Sequence, residues 1–239
     1  MPDRSATATR SAAVALAAAA IALVLGALVF LIGETVAAAA WTTPGYSYGA
    51  NFVSDLGNPH CGPYGDRVVC SPSHTLMNTA FVVQGLLVGA ASWLLGRVLP
   101  HRSRVLVRGL GVAIAAGFAL VGIVHSSPAT SADGTLWLHY LGATVAILGT
   151  NTSAVLLGRQ WPRLGIPAAV GRAGVVLGGV GLVAAVIWLA TFTLLPPGIF
   201  ERTAIYPFVL WQLLLGGFLL HVTQPVRLLL DRSSGAPRR

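Results

Sequence analysis

Six long apolar stretches, each about the length of a bilayer-spanning helix, govern what this chain can fold into. A helix needs about 20 predominantly apolar residues to cross a bilayer core. Six windows meet that length: 11–33, 74–96, 105–125, 136–158, 173–195 and 204–222. Only 9% of residues are charged, against about 25% in an ordinary soluble domain. The predicted fold class is all-α, an integral membrane bundle of six transmembrane helices.

The charges between the stretches set an orientation. All fifteen basic residues are arginines. Arg4 and Arg10 precede the first stretch; Arg97, Arg102, Arg104 and Arg108 surround the second break. Arg159, Arg163 and Arg172 mark the fourth, and Arg227, Arg232, Arg238 and Arg239 fill the tail. Arg67 and Arg202 alone fall on the other side, with most of the acidic residues. Cytoplasmic loops retain Lys and Arg, so both termini are expected in the cytoplasm of a multi-pass cell-membrane protein. The same placement explains the net charge of +8 without a polynucleotide. Membrane lipids are the expected partners, and nucleic acid is not.

This orientation divides the chain into a cytoplasmic N-terminus (1–10), a transmembrane domain (11–225) and a basic cytoplasmic tail (226–239). Pro196-Pro197 stops the fifth span, and Pro207 falls in the first turns of the sixth, where proline is tolerated. Arg4, Arg10, the apolar run and Ala38-Ala39-Ala40 also fit a signal peptide. The run from Ser11 to Gly33 exceeds the usual h-region, however, and is expected to remain as a helix. The outer loop 42–73 is too long for a plain connection; its Tyr46, Tyr48, Phe52 and Tyr64 predict a small folded cap. Cys61 and Cys70 share this loop on the oxidising side, where a disulfide between them is favoured over two free thiols. Gly85–Gly89 and Gly174–Gly178 fit GxxxG, a spacing that lets membrane helices approach closely.

Ionisable residues at membrane depth carry the functional candidates, because burial without a partner is costly. His74 opens the second span with Asn78 one turn deeper, His125 closes the third, and His139 begins the fourth. Asp55 belongs to the cap, and Glu201-Arg202 stands just before the sixth span. A zinc-like centre would use His74, His125 and His139 with Asp55 or Glu201, although no HxxxH or HExxH spacing supports it. A nucleophile arrangement would use Ser54, Asp55 and His74, without a GxSxG elbow. Recognition of a lipid headgroup would use the histidines and Arg202 as donors. Against these stands a structural reading of helix-end histidines, an Asx turn at Asp55 and an interfacial ion pair. Asp55, His74 and His139 are the catalytic candidates. Ser54, Asn78, His139, Glu201 and Arg202 are the binding candidates. No residue pattern identifies a cofactor.

Four segments taken together carry a family resemblance. They are Asn51-Phe52-Val53-Ser54-Asp55-Leu56-Gly57; Ser71 to Asn78 with Phe81 to Gly85; Leu138 to Ala143; and Gly198-Ile199-Phe200-Glu201-Arg202 with Tyr206-Pro207 and Trp211. In this order and spacing the chain resembles the domain of unknown function 998 family of prokaryotic polytopic membrane proteins, over roughly 12–225. The resemblance implies six or seven membrane helices and marks Ser54, Asp55, Gly57, Asn78, His139, Glu201 and Arg202 as family-type positions. At Val124-His125-Ser126-Ser127-Pro128 the chain departs from a Phe-Pro-like segment, which weakens the three-histidine centre. A looser likeness to membrane hydrolases that include alkaline ceramidases lacks their HxxxH signature and is analogy only. The expected function is binding or handling of a lipid-like ligand at the outer face. The alternatives are a lipid hydrolase or transferase and a structural or accessory subunit.

Overall fold

Each apolar window becomes a helix in the computed structural model, which describes residues 4–191 and 195–233. Helix α1 (Arg4–Ala40) is followed by a 3-10 turn (Ser54–Gly57) and a hairpin of β1 (Cys61–Tyr64) and β2 (Arg67–Cys70). Then come α2 (His74–Leu95), α3 (His101–Ile123), the short α4 (Pro128–Ala132), α5 (Leu136–Arg159), the short α6 (Trp161–Leu164), α7 (Ala168–Thr191) and α8 (Pro197–Ser233). Among the described residues, six helices are long and apolar enough to cross a membrane. Arg238 and Arg239 of the expected tail lie outside the described residues.

Two boundaries differ from the sequence reading. Helix α1 continues through Glu34 to Ala40, because Glu34 has a buried partner and does not end the helix. Helix α8 opens at Pro197, so Glu201 and Arg202 are helical and Pro207 lies in the helix interior. The proline pair thus precedes and starts the last helix: at the first helical position a missing N–H costs nothing.

The six long helices pack in chain order as a closed ring. α1 packs on α2, α2 on α3, α3 on α5, α5 on α7, α7 on α8, and α8 returns to α1. The interior holds Phe30, Met77, Ile114, Trp211, Leu215 and Leu219, each fully buried, with Phe30, Phe81 and Phe118 in ring contact. The outside is equally apolar, with Leu86, Val112, Val176, Val183 and Val186 all exposed. A shell hydrophobic inside and out matches lipid rather than water.

Both GxxxG pairs lie at close helix contacts. A Cβ on Gly85 would stand 2.5 Å from that of Phe118, and one on Gly89 would stand 3.1 Å from the Gly111 carbonyl of α3. On α7, a Cβ on Gly178 would stand 2.6 Å from the Asn151 carbonyl of α5. Small residues let these backbones touch, and dispersion then holds them.

One end of the ring carries the short arginine-bearing connections. There Arg104 donates to the Gly96 and Leu99 carbonyls at 3.0 and 3.1 Å, and Arg108 to the Trp93 carbonyl at 3.2 Å. Cationic donors thereby satisfy carbonyls left open where α2 ends. The other end carries the hairpin. Its strands pair antiparallel from Cys61↔Cys70 to Tyr64↔Arg67, and the disulfide Cys61–Cys70 ties the open end. Val53, Leu56 and Val69 are wholly buried, so the long loop is a folded cap and not a free connection.

Candidate functional site

Among the described residues, the buried charges Glu34, Asp55, Glu201 and Arg202 all lie at the hairpin end. Arg202, in the second turn of α8, faces inward and is only 8% exposed. Its Nε and one terminal nitrogen donate to Glu34 Oε1 of α1 at 3.1 and 2.9 Å. That same terminal nitrogen donates to the Tyr46 hydroxyl. The other donates to the carbonyls of Tyr48, Asn51 and Gly198 at 2.7, 3.0 and 3.1 Å. Tyr206 donates its hydroxyl to Glu34, with both carboxylate oxygens at 2.9 Å. A buried guanidinium is tolerated when all of its forked donors are used, and here they are. Burial pushes the Tyr46 phenol far above its ordinary value, against the pull of Arg202. Tyr46 therefore keeps its proton and donates it to the Phe52 carbonyl at 2.9 Å.

Glu201 holds the same loop one residue away. Its Oε2 accepts the backbone N–H of Val53. The adjacent pair Glu201-Arg202 thus fastens segment 46–53 across the end of α8. The next turn is fastened by Asp55. This fully buried carboxylate accepts the Phe52 amide at 3.0 Å and two Arg67 nitrogens at 2.7 Å each. Burial alone would lower the Arg67 pKa, but hydrogen bonding and charge from Asp55 raise it above its usual value. Arg67 also lies over the Phe52 ring at 4.7 Å and the Tyr64 ring at 5.5 Å. Ser71 donates to the Leu56 carbonyl at 2.7 Å, and Asn78 to that of Gly57 at 2.8 Å, so the turn is anchored to α2.

These ties frame a cavity of about 660 Å³ between the cap and the ends of α5, α7 and α8. Its polar lining includes Ser54, Tyr64, Arg67, His139, Tyr140, Thr144 and Glu201; Phe52, Ala143, Trp188 and Leu189 supply apolar walls. His139 is buried, with Nδ1 against the Val124 carbonyl at 2.7 Å. A carbonyl can only accept, so Nδ1 carries a proton and Nε2 of the neutral ring is an acceptor. Glu201 Oε1 and the hydroxyls of Ser54, Tyr140 and Thr144 have no hydrogen-bond partner among the described residues. A second, smaller cavity of about 30 Å³ lies deeper in the ring, and Ser54, Ala143 and Glu201 line both. It reaches Gln84, whose side-chain N–H donates to Gln212 Oε1 at 2.8 Å in the bundle core. An apolar cleft with a few convergent polar groups is the usual form of a small-molecule site.

A protein-family model described as "Protein of unknown function (DUF998)" matches residues 24–217. The chain belongs to the DUF998 family. No curated protein and no solved structure matches it. The DUF998 match takes in Glu34, the cap, His139, Glu201 and Arg202, the whole of the buried network and of the cavity lining.

Within this DUF998 chain the candidate residues separate into three places. Ser54, His139 and Glu201 share the cavity. Asp55, Asn78 and Arg202 are committed to holding the cap. His74 and His125 line a different cleft of about 410 Å³ between α2 and the end of α3. His74 Nδ1 is 3.0 Å from the Ser71 carbonyl, and burial followed by the like charge of His74 lowers the His125 pKa. His74, His125 and His139 therefore do not assemble a three-ligand centre: no group of three His, Cys, Asp or Glu that could hold a metal occurs among the described residues. The Ser54–Asp55–His74 arrangement is not assembled either, since Asp55 is turned to Arg67 and His74 to Ser71.

Sequence reasoning passed over Glu34, Gln84 and Gln212, although each interrupts an apolar run and so carried a signal. Tyr140 and Tyr206 carried none, because an aromatic residue in a membrane helix or its interface is ordinary; Tyr46 signalled the cap but not its bond to Arg202.

Proposed function

We propose that this DUF998 protein binds a lipid-like amphiphile in the hairpin-end cavity, at the extracytoplasmic face of the cell membrane. The observation that carries the reading is the free Glu201 oxygen and the His139 Nε2 in one apolar-walled cavity near the helix ends. Polar atoms at that depth and without partners are costly unless a ligand or water completes them. The arginine distribution supports placing the hairpin end outside, as does a disulfide, which persists in oxidising compartments. Arg202 serves the site by holding segment 46–53, while His139, Ser54 and Glu201 meet the polar head and Phe52, Ala143 and Trp188 meet the chain.

Mass spectrometry of lipids co-purified with the wild type, Glu201→Gln and Ala143→Trp tests this reading. One lipid class enriched over the bulk membrane extract in the wild type, and lost from both variants, is expected. Identical lipid profiles in all three folded proteins would refute ligand binding in this cavity. A hydrolase or transferase reading draws on the same cavity, because Ser54 and His139 both line it. It requires His139→Ala to abolish turnover of the retained lipid while leaving its binding intact.

A further inference from the structure

We infer that the head of the ligand carries a protonated amine, an inference that rests on the cavity being the ligand site. The charge inventory points that way. Arg67 is the lining cation from the cap, and Asp55 already meets it at two points, each 2.7 Å. Asp66 shares it at 3.5 Å. Arg202 lies behind the cavity wall and is spent on Glu34. The Glu201 carboxyl, which lines the cavity with a single backbone N–H bound to it, forms no ion pair among the described residues. Asp66, also in the lining and with its side chain 87% exposed, adds a second acidic group at the mouth.

The remaining lining agrees in sign. His139 presents an acceptor nitrogen in its neutral form, because its other nitrogen is held by the Val124 carbonyl. Tyr140 also lines the cavity, and the negative face of an aromatic ring attracts cations. An ammonium group brings up to three N–H donors and a positive charge to Glu201, to His139 and to a ring face. A phosphate or carboxylate head could take the hydroxyls of Ser54, Tyr140 and Thr144 as donors, but it would set its negative charge beside Glu201 and Asp66. Charge complementarity of this kind discriminates strongly, because like charges set together in a desolvated site cost several-fold to many-fold in affinity.

The test uses three probes with the same dodecyl chain: dodecylammonium, dodecanol and dodecyl phosphate. Binding to the full-length protein in a neutral detergent at pH 7 is measured by equilibrium dialysis. Dodecylammonium is expected to bind about tenfold or more tightly than the other two, the lower end of measured coupling between close charges. Glu201→Gln, whose amide oxygen can still accept the Val53 N–H, is expected to remove that preference. Asp66→Asn, at an exposed hairpin turn where folding is not at stake, is expected to weaken dodecylammonium alone by about two- to threefold through the lost mouth charge. Equal binding of all three probes, each lost in Ala143→Trp, overturns the amine and leaves the cavity reading standing. Tightest binding of dodecyl phosphate does the same. Absence of binding by any probe, with Ala143→Trp indistinguishable from wild type, overturns both.

Discussion

Glu34 and Arg202 meet 2.9 Å apart inside the helix ring, joining the first spanning helix to the last. The pair closes the ring at the hairpin end, and through Tyr46, Tyr48 and Asn51 it also seats the cap. Arg202→Met leaves the Glu34 carboxylate buried with Tyr206 as its remaining donor. The variant is expected to lose about 3–5 kcal/mol, the usual cost of breaking a buried pair from one side. Glu34→Gln combined with Arg202→Met is expected to cost less than the sum of the two single changes. Reversible unfolding in mixed micelles measures all three, and strict additivity would mean that the pair is not coupled.

The two arginines that break the one-sided distribution share one explanation. Arg67 is neutralised by Asp55 and Arg202 by Glu34, both within the hairpin end. Thirteen arginines against these two predict the hairpin end on the extracytoplasmic side. Single cysteines at Ser103 and Ser131 test it on intact cells with a membrane-impermeant maleimide. Labelling of Ser131→Cys alone is expected, with Ser103→Cys reacting only after permeabilisation. Equal labelling of both from outside contradicts the orientation.

Adjacent glycines on α7 make a sharp test of the packing. Gly178 is against the Asn151 carbonyl, whereas a Cβ on Gly179 meets nothing within 4 Å. Gly178→Ala is expected to destabilise by about 1–3 kcal/mol through overpacking. Gly179→Ala is expected to stabilise by up to about 1 kcal/mol through helix propensity. Thermal unfolding of the two variants should move in opposite directions from wild type; a shift of equal sign contradicts the α5–α7 contact.

Stability should also fall in mild acid at the separate histidine cleft. Burial and the neighbouring His74 lower the His125 pKa from 6.5. Above pH 6.5 both the folded and unfolded chains leave His125 neutral, and it contributes no pH dependence. As pH falls below 6.5 the unfolded chain takes up a proton that the folded site resists, so the folded state loses relative stability until the lowered folded pKa is passed. His125→Asn is expected to flatten the melting temperature between pH 7 and pH 5 relative to wild type. An unchanged pH profile would remove His125 as the cause.

How much of this was legible in the sequence depends on the range of each interaction. The six spans were legible because bilayer thickness fixes a length that any apolar run either meets or misses. The end of α1 was misread at Glu34, since a charge looks like a boundary until its partner, 168 residues away, is known. The start of α8 was misread at Pro197 because one proline pair can both stop a helix and begin the next. Ser54, His139 and Glu201 were each legible as unusual, and their meeting was not, because the rotation of each helix about its axis is set by packing. The separation of His74 and His125 from His139 has the same origin. Both GxxxG motifs named close contacts correctly but left their partner helices open.

The most direct test of the cavity is electron density from crystals of the protein extracted in a mild detergent with its native lipid. Continuous elongated density is expected, with its polar end between Glu201 and the Nε2 of His139 and its chain along Ala143. A cavity filled only by water, or closed by its own side chains, would contradict the proposed binding.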